Sequence, residues 1–257
     1  MNRINQLFER KGKNILSVYF VAGAPELDNT VPVIGALAAA GVDMVEIGIP
    51  FSDPMADGPV IQQSATVALR NGMTLSRLFD QLKDIRSRVE IPLVLMGYLN
   101  PIMQYGVEPF CAKCRETGID GVIIPDLPFA DYLAEYKPLG DKYGVKFIML
   151  ITPETSEERI RLIDAHTEGF IYMVSTASTT GAKDRFGEDT VAYFKKIDGM
   201  NLRNPRLIGF GISNRQTLEG AMTYAGGAIV GSSFVKLLAS EKEPRRAVKK
   251  LLEQLAR

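Results

Sequence analysis

The chain predicts a single α/β domain, a (β/α)8 or TIM barrel spanning residues 1–257 with a short helix ahead of the first strand. Three observations carry this prediction. Eight short aliphatic runs alternate with stretches of helical periodicity. They recur roughly every 25–30 residues, the length of a βα unit, and eight such units need a chain of about this size. No Pro/Ser-rich linker or charge run divides the sequence. The runs are also apolar on both faces, as parallel strands covered by helices must be. The competing architecture is a doubly wound open sheet. It calls for a glycine-rich dinucleotide turn after the first strand, and Gly23-Ala24-Pro25-Glu26 is not one.

The elements follow in order. Residues 2–11 read as an amphipathic helix with Ile4, Leu7 and Phe8 on one face. Residues 15–21 form the first strand. Asp28 or Asn29 caps a helix whose buried face is Val33, Ile34, Leu37 and Ala38, and Gly41 stops it. The second strand is 43–47, and a helix starts near Pro59. Thr74 caps the next helix, with Leu75, Leu78, Phe79, Leu82, Ile85 and Val89 at helical spacing. Strand three is 92–96, helix 107–117 ends at Gly118, and strand four is 121–124. A helix over 129–143, interrupted at Pro138, leads to strand five at 146–150. Thr155 and Glu158 fit a capping box for helix 155–166. Strand six (170–174), helix 188–198, strand seven (206–210), an Asn214-capped helix 215–225, strand eight (228–230) and helix 244–256 complete the chain.

Composition removes several classes of function. With 30 basic and 30 acidic residues the formal charge is zero, so there is no bulk attraction to nucleic acid or anionic membrane. No apolar run is long enough to span a bilayer and the N-terminus lacks a signal-peptide core, which predicts a cytoplasmic protein. Cys111 and Cys114 form a lone C-x-x-C without the further ligands a structural zinc needs, and on a half-buried helix they read as inert thiols. No metal site is predicted.

The chemistry of a barrel gathers at the carboxyl ends of its strands. Glu46 lies there, between Val45 and Ile47 in an otherwise aliphatic run. An unpaired buried charge costs several kcal/mol, so such a group has a partner, a raised pKa or a chemical task. The two competing readings are a salt-bridged strand-end glutamate and a general acid/base at the mouth of a pocket. The stiff loop after it, with Pro50, Pro54 and Pro59, presents Asp53 and Asp57. Glycines and serines follow strands seven (Gly209-Phe210-Gly211-Ile212-Ser213) and eight (Gly231-Ser232-Ser233). Either could be a tight reversal; together, at these two barrel positions, they point to a phosphate held by backbone N–H groups and a helix N-terminus. Residues 175–187, small and polar, suit a lid. The only histidine, His166, falls at a helix end on the opposite side, which removes His-based triads, and no lysine closes a strand to form a Schiff base. What remains is carboxylate acid/base work on a phosphorylated small molecule.

The run from Glu46 to Pro59, EIGIPFSDPMADGP, closely resembles the signature of the tryptophan synthase α-subunit family. The likeness continues through 96–101 (MGYLNP), 125–128 (PDLP), Tyr172, Thr180-Gly181, 209–213 and 230–232. It departs at Ala24 and Ser178, where the family often has Asp and Gly. The resemblance implies a barrel lyase that cleaves indole-3-glycerol phosphate to indole and glyceraldehyde 3-phosphate. It implies catalytic roles for Glu46 and Asp57, and positioning by Tyr172, Tyr19, Met96, Leu127 and Phe210. Gly181, Gly211, Gly231 and Ser232 would bind phosphate. No cofactor is implied in this chain; pyridoxal phosphate is implied in a β-subunit partner within an α2β2 heterotetramer. The alternatives are a related barrel acting on another phosphorylated small molecule, such as a sugar-phosphate isomerase, and a non-catalytic activator of the β partner.

Overall fold

Alternate residues of the strands fall into two apolar clusters, and this division defines the barrel. One cluster holds Ile15, Met44, Val94, Ile123, Ile148, Tyr172, Leu207 and Ile229, which meet inside the ring. The other holds Leu16, Val45, Leu93, Val122, Phe147, Ile171, Ile208 and Ala228, which face the helices outside. The period of two is the pleat of a strand covered on both faces. The computed structural model describes residues 1–175 and 185–255. Its strands are β1 (Ile15–Val21), β2 (Met44–Gly48), β3 (Leu93–Met96), β4 (Gly121–Ile123), β5 (Lys146–Ile148), β6 (Leu150–Ile151), β7 (Ile171–Val174), β8 (Arg206–Gly209) and β9 (Gly227–Val230).

All pair in parallel, in the order β5-β4-β3-β2-β1-β9-β8-β7-β6. The two ends of that order are consecutive pieces of one run, 146–151. Lys146–Ile148 bonds to β4 on one side, and Leu150–Ile151 bonds to β7 on the other. Met149 is the point of exchange, its carbonyl accepting from Tyr172 N at 3.0 Å. The predicted fifth strand is therefore split in two by a change of partner, and the covalent chain closes an eight-position (β/α)8 barrel.

The amino end of the ring is stoppered by the helix Arg3–Lys11. Asn2 caps it by accepting from Ile4 N at 2.9 Å, and Ile4 and Leu7 are buried in the inner cluster. Ile4 fills the space over Gly121, where a Cβ would meet its Cδ1 at 2.8 Å. Fully burying two such side chains stabilises by about 3–6 kcal/mol in transfer terms.

Four local expectations change. Helix Leu75–Leu82 ends earlier than its spacing suggests, and Ile85–Ser87 is a separate 3-10 turn. Arg86 on that turn bonds the carbonyls of Gly118, Val89 and Ile91, tertiary contacts that local periodicity does not report. Helix Glu157–His166 is capped by Ser156, not Thr155, because Thr155 Oγ1 accepts from Thr152 N at 2.9 Å. Asn29 makes no side-chain cap; a 3-10 turn, Leu27–Asn29, runs directly into helix Thr30–Ala39. Helix Leu99–Tyr105 was not anticipated; its first N–H donates to Asp126 Oδ1 at 2.9 Å, a cap supplied from beyond β4. The Thr74 and Asn214 caps form as expected, accepting from Arg77 N and Thr217 N. Around Pro138 the run 129–143 stays helical through a π turn, Tyr132–Tyr136, which accommodates the missing N–H.

Candidate active site

The parallel register places Tyr19, Glu46 and Val94 side by side on β1, β2 and β3. Glu46 has no exposed surface. Ser17, one pleat nearer the amino end of β1, donates its hydroxyl to Glu46 Oε1 at 2.8 Å. Among the described residues Oε2 has no hydrogen-bond partner and no basic side chain pairs with the carboxyl. Burial pushes the Glu46 carboxyl up to about 8, with the Ser17 bond pulling the other way. The salt-bridge reading is thereby removed. At neutral pH the group is mostly a neutral acid, able to give a proton and take one back.

Asp57 reaches the same region from the loop after β2. That loop is tied to Tyr98 at the end of β3: Ala56 N donates to the Tyr98 hydroxyl at 3.0 Å, and the Phe51 ring lies 5.6 Å from the Tyr98 ring. Gln62 Nε2 donates to the Asp57 carbonyl at 2.7 Å, fixing the loop to the following helix. Burial raises the Asp57 carboxyl, and a hydrogen bond from Tyr98 opposes the rise. Asp53, by contrast, is exposed and bonded to Ser52 at 2.5 Å.

Tyr19 and Tyr172 lie within electrostatic reach of both acids. Burial drives both phenols well above their ordinary value, and the charges of Asp57 and Glu46 push each further. The Tyr19 hydroxyl occupies the space a Cβ on Gly48 would need, and the Tyr172 hydroxyl does the same at Gly209. Glycine is required at both points for the rings to lie against the neighbouring strand.

The opposite rim is built from β7, β8 and β9. Phe210 has φ +69°, a strained conformation for a bulky residue. Ser175 Oγ holds it by donating to the Phe210 carbonyl at 2.8 Å. The Phe210 ring stands edge-on to Tyr172 at 6.2 Å. Gly211 follows at φ +73°, where a Cβ would lie 3.9 Å from both Phe186 Cε1 and Ser175 Oγ. The helix Ser232–Glu241 begins at Gly231 with no side-chain cap, so its first-turn N–H groups are available to an anion. Gly231 faces the Tyr19 ring: a Cβ there would lie 3.7 Å from Tyr19 Cδ1.

Met96 and Phe210 pack against the inner cluster, whereas Leu127 belongs to the outer one and is nearly buried. Gly181 and Ser178 lie outside the described residues, as does most of the proposed lid. Cys111 and Cys114 are buried free thiols, and burial raises Cys111 to about 12. His166 sits edge-on to Phe129 in the outer layer. Among the described residues no cluster of His, Cys, Asp and Glu is arranged to hold a metal ion. A groove of about 960 Å³ between helices Thr30–Ala39 and Pro244–Gln254 lies outside the ring and touches none of the predicted site residues. Sequence reasoning missed Ser17 and Tyr98. Ser17 had a signal: a hydroxyl two residues before Tyr19 in an apolar strand.

The family model for the tryptophan synthase alpha chain matches residues 5–257. The chain is 65% identical to the tryptophan synthase alpha chain of Parabacteroides distasonis, over 99% of both sequences. It superposes on the crystal structure of the alpha chain from Legionella pneumophila with a TM-score of 0.86 at 31% identity, covering 99% of this chain and 96% of that one. It superposes on a chain of the tryptophan synthase complex from Pyrococcus furiosus with a TM-score of 0.84 at 33% identity, covering 95% and 98%. A buried acid without a cation among the described residues, a second acid tied to Tyr98 and a glycine-lined rim thus sit in a chain related to these proteins over its whole length. The chain belongs to the tryptophan synthase alpha chain family.

Proposed function

We propose that this chain, a single barrel domain over residues 1–257, cleaves indole-3-glycerol phosphate to indole and glyceraldehyde 3-phosphate. Membership of the family makes it a lyase of tryptophan biosynthesis; the reaction and the residue roles are our reading. The observation that carries it is Glu46, buried, bonded among the described residues only through Oε1, and raised to about 8.

Protonated Glu46 gives its proton to C3 of the indole. The Asp57 carboxylate accepts the ring N–H hydrogen bond and stabilises the cation that forms. Glu46, now ionised, takes the proton of the hydroxyl on the adjoining side-chain carbon. The carbon–carbon bond breaks, its electron pair restores the ring, and the hydroxyl carbon becomes the aldehyde. Glu46 ends the cycle protonated, as it began. Tyr172 positions Glu46 and the substrate, and Tyr19, Met96 and Phe210 wall the indole, whereas Leu127, packed in the outer cluster, is not part of that wall. Gly181, Gly211, Gly231 and Ser232 hold the phosphate through backbone N–H groups and one hydroxyl.

The partner in this reading is a β subunit, in an α2β2 heterotetramer, which carries the pyridoxal phosphate; this chain has no resident cofactor. The loop over 50–59 is the docking element, and its Met55 side chain is 82% exposed. Docking fixes that loop and raises turnover. We assign the protein to the cytoplasm. No described helix is long and apolar enough to cross a membrane.

The test is direct. Purified chain with indole-3-glycerol phosphate, alone and with a β subunit, should release free indole, and triose phosphates should not turn over. Turnover of a triose phosphate without indole release overturns the assignment in favour of a barrel with a small polar substrate.

A further inference from the structure

We propose that Ser17 is a positioning residue for the proton-transfer carboxyl: its hydroxyl fixes Oε1 of Glu46 and leaves Oε2 as the oxygen that carries and passes the proton. The inference rests on the lyase reading above and deepens it. Ser17 has no exposed surface, and its hydroxyl makes the hydrogen bond to Oε1 at 2.8 Å. By the alternation of the strand it shares its face of β1 with Ile15, in the inner cluster, and Tyr19, beside Glu46, so an alanine would meet the packing demand of the position. A buried hydroxyl needs a partner to offset its desolvation, and the partner it has is one oxygen of the reacting group. With Oε1 engaged as acceptor, the acid's own proton resides on Oε2, which is bare. The bond also removes a rotational choice. An acid that must meet a ring carbon and then a hydroxyl on the next atom works from a fixed carboxyl better than from a freely turning one.

The groups facing Glu46 from neighbouring elements are Tyr19 on β1, Tyr172 on β7 and Asp57 in the loop after β2, while β3 offers Val94. None is a cation. Ser17 is therefore the one described hydrogen-bond donor that favours the ionised form of Glu46, and it opposes the effect of burial.

The experiment uses the full chain with ¹³C-labelled glutamate, the Glu46 carboxyl signal being assigned by its loss in E46Q. In S17A that carboxyl should titrate roughly one pH unit higher than in the wild type. The alkaline limb of kcat/KM for indole release should move up with it, and kcat should fall about tenfold as orientation is lost. S17T should return both titration and limb toward wild type. A titration and limb that stay put in S17A overturn the proposal, whatever happens to kcat, because a packing role moves neither. S17T adds a methyl to a filled interior; S17A needs no extra room, and its titration decides alone. If the wild-type chain releases no indole, the lyase reading fails by itself, and the ¹³C titration still decides whether Ser17 holds the carboxyl.

Discussion

Two carboxyl groups are buried at opposite ends of this barrel, and the chain treats them in opposite ways. Asp120, at the amino end, is saturated. Its Oδ1 accepts from Arg3 Nη1 at 3.1 Å, and its Oδ2 from Arg86 Nη2 at 2.5 Å and Leu93 N at 3.0 Å. Glu46, toward the carboxyl end, has among the described residues one hydroxyl donor, no cation and one bare oxygen. A buried carboxylate that serves structure is surrounded by donors. One that serves proton transfer is left partly unsatisfied, so that its neutral and charged forms lie close in free energy. Removing each group separates the two kinds of burial.

The largest effect belongs to Glu46. E46Q keeps shape and the acceptor for Ser17 but cannot exchange a proton. Indole release should fall by at least about a thousandfold, while a substrate analogue still binds. The same change should stabilise the fold. The raised carboxyl holds its proton in the native state while the unfolded chain has lost it, so wild-type stability declines as pH rises from about 4.5 toward about 8. Above that window the whole penalty applies. Urea midpoints should therefore show E46Q close to wild type near pH 4.5 and more stable by about 4 kcal/mol at pH 8. Near-normal turnover in E46Q, or equal midpoints at both pH values, breaks the contrast between the two acids.

The converse variant is D120N. It strands the Arg86 guanidinium, which is largely buried, and weakens the bond to Leu93 N. The Arg3 partner is two-fifths exposed and adds little. A loss of about 2–3 kcal/mol in unfolding free energy is expected, with kcat for indole release unchanged. A variant that keeps its stability but loses turnover would mean that the amino end reaches the chemistry.

This contrast also explains what could be read from the residues alone. Glu46 stood out because a charge inside an aliphatic run is anomalous by itself. The strands were legible because a buried parallel strand is a short, locally visible pattern. The partners were not. Ser17 meets Glu46 across 29 positions, Tyr98 meets Ala56 across 42, and Asp126 caps a helix 27 residues earlier. Such pairs are set by register around the ring, which no local periodicity encodes. The choice of Ser156 over Thr155 as a cap depended likewise on where Thr155 was already engaged.

The smallest effect falls on Asp57, which stands between the two extremes. It is partly buried, carries the Tyr98 hydrogen bond and lies within electrostatic reach of Tyr19 and Tyr172. Its proposed task is to accept the indole N–H and steady a transient cation, not to move a proton along the reaction path. D57N retains a carbonyl oxygen for that hydrogen bond and loses only the charge. Turnover should drop about tenfold to a hundredfold, less than for E46Q, with the alkaline limb set by Glu46 left in place. Steady-state kinetics of indole release across pH 6–9 measures both quantities. A loss in D57N as deep as that in E46Q would make Asp57 a second proton carrier, and the division of labour between a neutral acid and a charged acceptor would have to be redrawn.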